Sequence, residues 1–395
     1  MSTLKVDSIV FENYDVSMET GFLMESPLEE LPEYFEAWNR LSKEMPDLVE
    51  KKMMKEEVLK MPYLDASKLK SRKEIRLAYL QLSIIGAGYV WEDGDAGAPE
   101  SIPECVAVPW YEVSSKLGVQ PILSHPGFCL VNYKQLDPDR PLSLNNMKSL
   151  YIVPGGDECD WFVVVTCAIE LEFTHALQPI LSLLKGGESG NIDMMISGLQ
   201  KINKVVKNLQ NVLSKMHDNL TADTFYNKIR PFLSGWGGES NPLPGGLIYE
   251  GVEDYEPLTM IGGSAAQSAI LQLLDVTLGI EHSQDKKDFL EKMRKYMLPI
   301  HHKLIKDIDS LPFNIRTVVE ESNDDKLREE YNSCLTAVSD FRSYHIQIVT
   351  KYVIVSANKK NRNKEFESLA KKGTGGTSLL PFLKDLRKDT KDAVL

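Results

Sequence analysis

The sequence predicts a mainly all-α protein: a large helical domain, and a smaller helical domain that carries short β-strands. Apolar residues recur at every third or fourth position over most of the 395 residues, the spacing that gives a helix one buried face. Prolines, glycines and short apolar pieces are concentrated between about residues 93 and 154, where loops and a small pair of strands are expected. The hydrophobic share of 43% is enough to bury a large core.

Residues 31–55 predict a helix with Phe35, Trp38 and Leu41 on one face, and residues 73–91 predict another. A short helix is expected over 113–117, in the turn-rich stretch that also holds VQPIL and SLYIVPGG. A domain boundary is placed at Gly155 and Gly156, dividing the chain into 1–154 and 155–395. Beyond it, 161–184 is apolar nearly all round and predicts one buried central helix. Ile192, Met195, Leu199, Ile202, Val206, Leu209, Leu213 and Met216 step by three and four, a seam expected to pack within the chain. Ser264 and Gln267 fit a capping box for a helix running to about Leu278. Helices over 285–307 and 324–355 follow, then a polar, lysine-rich loop ending in GTGGT (373–377), then a last helix from about Ser378.

The net charge of −12 disfavours nucleic acid and anionic membranes as partners. Five scattered cysteines, none spaced as CxxC, fit a reducing compartment. The start, MSTLKVDSIVFENYDVS, lacks a signal-peptide pattern, and the apolar run 161–169 stops at Glu170, well short of a membrane span. A cytoplasmic monomer is expected. HExxH, GxGxxG, Walker and GxSxG motifs are absent. His301 and His302 are adjacent, which points them apart on a helix, and a surface position is expected for both. GTGGT could cradle an anion with its amides or serve as a hinge or cap.

One histidine lies on an apolar stripe. Leu327, Tyr331, Cys334, Val338, Phe341, His345, Ile348, Val349 and Tyr352 share a helix face, so His345 points inward. The pattern leaves two readings open: a hydrogen-bonded core residue, or the ligand of a metal or haem.

The segment RSYHIQIVTKY (342–352) resembles the proximal-histidine segment of the indoleamine 2,3-dioxygenase family. FYNKIRPFLSGW (225–236), GLIYEG (246–251), GGSAAQS (262–268) and GTGGT resemble that family's distal side and mobile loop, in the same order. Residues 31–39 and the stretch around Leu123 resemble its small domain. The resemblance spans almost the whole chain and implies haem b in the large helical domain, with His345 on the iron. It implies a charged pair beside the haem at Arg342 and Asp275. On the distal side it implies Phe162, Phe225 and Ser264 with Ala265, with Arg230 meeting a substrate carboxylate. Thr374 falls in the loop that closes over substrate.

The implied reaction joins dioxygen to L-tryptophan or a related indoleamine, opening the indole C2–C3 bond to give N-formylkynurenine, the first step of the kynurenine pathway. No side chain is implied as acid or base, and an electron donor must keep the iron reduced. The resemblance also places Thr166, Tyr226 and His125 at the substrate pocket. Thr166 lies where the best-studied form of the family has serine, Tyr226 where it has phenylalanine, which adds a phenol to the pocket wall, and His125 where tyrosine is common. These choices resemble the vertebrate second isoform and invertebrate relatives. The family also includes molluscan myoglobins, so a reversible oxygen carrier is the alternative expectation.

Overall fold

The computed structural model describes residues 4–358 and 379–395, and these are predominantly helical, as expected. Helix α1 (Glu36–Glu50) follows a single tight turn at Glu33–Phe35 and buries Trp38, Leu41, Met45, Leu48 and Val49. It is shorter than predicted, because Lys52 takes a left-handed conformation that starts a separate helix, α2 (Met54–Leu59). Helix α3 (Arg72–Trp91) begins on a complete capping box made by Ser71 and Glu74 and is buried along most of its length. It packs against α4 (Glu104–Leu117). At Gly86 a Cβ would lie 2.2 Å from the Trp110 ring, so only glycine lets that indole sit against the helix. Helix α4 extends well beyond the predicted 113–117: it carries Pro109, which reads as a helix breaker, in its interior and gives up one ladder bond there.

The expected strand pair is β2 (Lys134–Gln135) against β3 (Met147–Lys148), antiparallel. VQPIL and SLYIVPGG form no strands. A second small sheet joins β1 (Ser101–Ile102), parallel, to β4 (Leu247–Tyr249), which pairs antiparallel with β5 (Pro257–Leu258).

After Gly155 and Gly156, both at positive φ, the helices lengthen. The predicted 161–184 helix is two, α5 (Asp157–Glu172) and α6 (Thr174–Ser189), meeting at buried Phe173. The Thr174 hydroxyl donates back to the Leu171 carbonyl at 2.6 Å, a local bond that competes with the helical ladder where the two helices meet. Helix α7 (Ile192–Ser214) buries the predicted seam within the chain, against α6 and against α12 (Asp325–Val349).

The Ser264–Gln267 capping box forms, but it caps a single turn. Ser268 then caps α8 (Ala269–Leu278). The predicted 285–307 helix is also two, α9 (Gln284–Arg294) and α10 (Pro299–Asp309), the second restarting at Pro299, whose fixed φ suits the first position of a helix. Helix α11 (Ile315–Ser322) was not foreseen. Its two turns, capped by Asn314 and closed by left-handed Asn323, are too short to show a period. Helix α12 continues through a wide π turn, Thr350–Ile354, and the last helix is α13 (Leu379–Asp392).

His301 corrects an expectation: it is buried, not on the surface. Its ring meets Phe22 edge-on at 4.9 Å, its Nε2 lies 3.4 Å from the Asp15 carbonyl, and burial pushes its pKa down to about 3. No described helix is long and apolar enough to cross a membrane.

Candidate functional site

A cavity of about 290 Å³ opens between α5, α12, the short His125–Phe128 helix and the loop before α8. Helix α5 contributes Phe162, Thr166, Ile169 and Glu170, at steps of four, three and one, so one stripe faces the space. Helix α12 contributes Phe341, His345, Ile348 and Val349. The loop gives Ser264 and Ala265, while Phe289 of α9 and Phe382 and Leu383 of α13 close another side. Phe225 begins and Arg230 follows a second π turn, Phe225–Ile229, and both reach the cavity. The walls are mostly aromatic and aliphatic. Phe162 lies 5.3 Å from Phe225 and 6.4 Å from Phe128, and Phe225 meets Tyr352 edge-on at 5.8 Å.

His345 therefore stands on an apolar wall and faces this space, rather than interlocking with core. Burial, and then the nearby Arg342 charge, push its pKa down to about 4, so the ring is neutral at pH 7 with a lone pair free to ligate. The described residues provide no cluster of histidines, cysteines or carboxylates that could hold a bare metal ion. A lone imidazole in an apolar slot suits a metal that brings its other ligands with it, as in an iron porphyrin.

Arg230 is buried, and its guanidinium lies 5.1 Å from the Tyr226 ring. Burial lowers its pKa to about 10, which still leaves it charged at neutral pH. Tyr226 itself is buried behind this arginine and does not line the cavity, contrary to its expected place on the wall. The Thr166 hydroxyl donates to the Phe162 carbonyl at 2.8 Å, so it is engaged within its helix. His125 reaches the cavity, with its Nε2 2.8 Å from Glu170 Oε1. Ser268 Oγ donates to the same carboxylate oxygen at 2.7 Å. Glu170 was missed as a site residue; the one signal was a carboxylate that ends a long apolar run.

Arg342 and Asp275 pair as expected, Nη2 lying 2.6 and 2.7 Å from the two carboxylate oxygens. Both are buried beside the cavity, one turn along their helices from the lining residues His345 and Leu271. Burial alone would raise the Asp275 pKa, but Arg342 and His282 outweigh it and hold the carboxylate below its ordinary range. His282 was not foreseen. Thr374 and GTGGT lie outside the described residues.

Fold and site define a helical protein with a deep apolar cavity that carries a neutral imidazole and a buried guanidinium on its walls. A sequence model of the indoleamine 2,3-dioxygenase family matches residues 10–393. A myoglobin of Haliotis diversicolor is 44% identical, covering 97% of this chain and 98% of its own. Indoleamine 2,3-dioxygenase 2 of Homo sapiens is 39% identical, over 97% and 95% of the two chains. Indoleamine 2,3-dioxygenase 1 of Rattus norvegicus is 36% identical, over 98% and 96%. The chain belongs to the indoleamine 2,3-dioxygenase family.

Proposed function

We propose that the cavity takes haem b with His345 as the iron ligand, and that the chain is a tryptophan or indoleamine 2,3-dioxygenase. The observation that carries this is a neutral imidazole facing an apolar cavity that also bears a buried arginine. The haem iron, when bound, supplies the oxygen chemistry that opens the indole C2–C3 bond and yields N-formylkynurenine. The chain's own residues bind and orient. Phe162 and Phe225 offer flat apolar faces to an indole. Arg230 offers a fixed, charged fork to an amino-acid carboxylate. The aromatic walls exclude water from the reacting atoms. Residues 1–154 form a small domain with a connecting segment that adds the His125–Phe128 helix to the cavity wall, and 155–395 form the large helical domain that supplies most of the rest. The protein works as a cytoplasmic monomer, with L-tryptophan, dioxygen and a separate electron donor as partners.

The Haliotis relatives named myoglobin favour a second reading, reversible oxygen carriage. One assay separates the two. Reduced, haem-loaded protein given oxygen and L-tryptophan is expected to release N-formylkynurenine; a stable oxygenated form without product would make the carrier reading correct.

Arg230→Ala is expected to lower kcat/KM for L-tryptophan roughly 100-fold, the scale of losing a buried charged hydrogen-bond partner. Carbon monoxide affinity should stay nearly constant. Equal losses in both measurements would remove Arg230 from carboxylate recognition.

A further inference from the structure

Both ring nitrogens of His282 face carboxylates. Nε2 lies 3.0 Å from Asp275 Oδ2, and Nδ1 lies 2.8 Å from Asp389 Oδ2. A neutral imidazole has one N–H, so one of these contacts would set a ring lone pair against a carboxylate lone pair. The geometry therefore calls for the doubly protonated ring, a cation between two anions. The side chain is 5% exposed, so water does little to weaken the arrangement.

The two carboxylates belong to different parts of the site. Asp275 of α8 holds Arg342, three residues before His345 on α12. Asp389 is on α13, whose Phe382 and Leu383 line the cavity. Lys286 of α9 also reaches Asp389, at 2.5 and 2.6 Å, and α9 carries Phe289, whose ring lies 4.3 Å from that of Phe382. The charged groups about His282 are thus Asp275, Arg342, Asp389 and, through Asp389, Lys286.

We propose that His282, as an imidazolium, is a positioning residue of the cavity. It fastens α13 to the Asp275–Arg342 pair, holds the wall made by Phe289, Phe382 and Leu383, and so sets how firmly the cavity retains its flat cofactor. The retention part rests on the reading of the cavity as a haem site; the clasp itself does not. Burial disfavours the charge, but Asp275 and Asp389 more than offset it and raise the His282 pKa above its ordinary value. The sign follows: the clasp is complete below the ordinary histidine range and is lost as pH rises through the folded value.

The test follows transfer of haem from the loaded protein to an excess of apoglobin, at about pH 6 and about pH 9, either side of the histidine range. Wild-type release should be about tenfold faster at the higher pH, the scale of one charged hydrogen bond. His282→Gln and Asp389→Asn should release fast at both. Wild-type-like retention by both variants at the lower pH, or an unchanged pH profile in His282→Gln, would overturn the proposal. The haem-free protein gives an independent arm. Nitrogen chemical shifts should show both ring nitrogens of His282 protonated at the lower pH, and His282→Gln should speed amide exchange along α13. A singly protonated ring there, or unchanged exchange, would overturn the clasp. A chain that takes up no haem at all would instead overturn the reading of the cavity.

Discussion

His345→Ala should abolish the native haem absorption band of the reconstituted protein and lower its iron content with it. The imidazole is the one histidine that α12 presents to the cavity, and its low pKa keeps the ligating form populated through the neutral range. The remaining walls are apolar and can hold a porphyrin only by contact, so any residual haem should have an altered band. The fold should survive. His345 faces a cavity and no hydrogen bond ties it to a described residue, so truncation strands no buried partner and should cost within ~1 kcal/mol. Added imidazole should restore the band, because the space left by the side chain admits it. Full iron content with an unshifted band in the alanine protein would show that His345 is not the ligand.

That histidine was legible because its signal is local. A stripe from Leu327 to Tyr352 is a property of one helix, and period alone placed His345 on its inner face. The body of α3 was legible for the same reason, its apolar period placing a helix over 73–91, while the capping box of Ser71 and Glu74 that starts it was not read. Where the reading failed, either a local break in the backbone ladder was masked by a continuous apolar pattern or the deciding contact lay outside the window. Two predicted helices each proved to be two, because Thr174 and Pro299 act on the backbone ladder and leave the apolar pattern intact. Pro109 had the opposite effect, hiding most of a helix that tertiary packing pays to keep. His301 was assigned to the surface because nothing near it in sequence shows that Phe22 and Asp15 will cover it. His282 was invisible in the same way, since its two carboxylates stand 7 and 107 residues away. The resemblance supplied the pair Arg342–Asp275, which no spacing rule could have joined across 67 residues.

Asp275→Ala should cost the haem-free protein ~3–5 kcal/mol in urea unfolding near pH 6, the range for removing one partner of a buried ion pair. The loss is large because of what remains. The Arg342 guanidinium is left in a buried site where its Nε already has no partner among the described residues, and His282 loses one of its two acceptors. The pH dependence has two limbs. Asp275 has a depressed pKa, so its contribution is present above the ordinary carboxylate range and lost as pH falls through the folded value. His282 has a raised pKa, so its contribution is present below the ordinary histidine range and lost as pH rises through the folded value. Wild-type stability should therefore peak between the two limbs, and the peak should flatten in Asp275→Ala. Replacing Arg342 by methionine in the same chain should recover at least ~1 kcal/mol, because the stranded cation is the costly element. A loss below ~1 kcal/mol in the single variant, or no recovery in the double one, would mean that water already reaches Arg342 and that the pair contributes little.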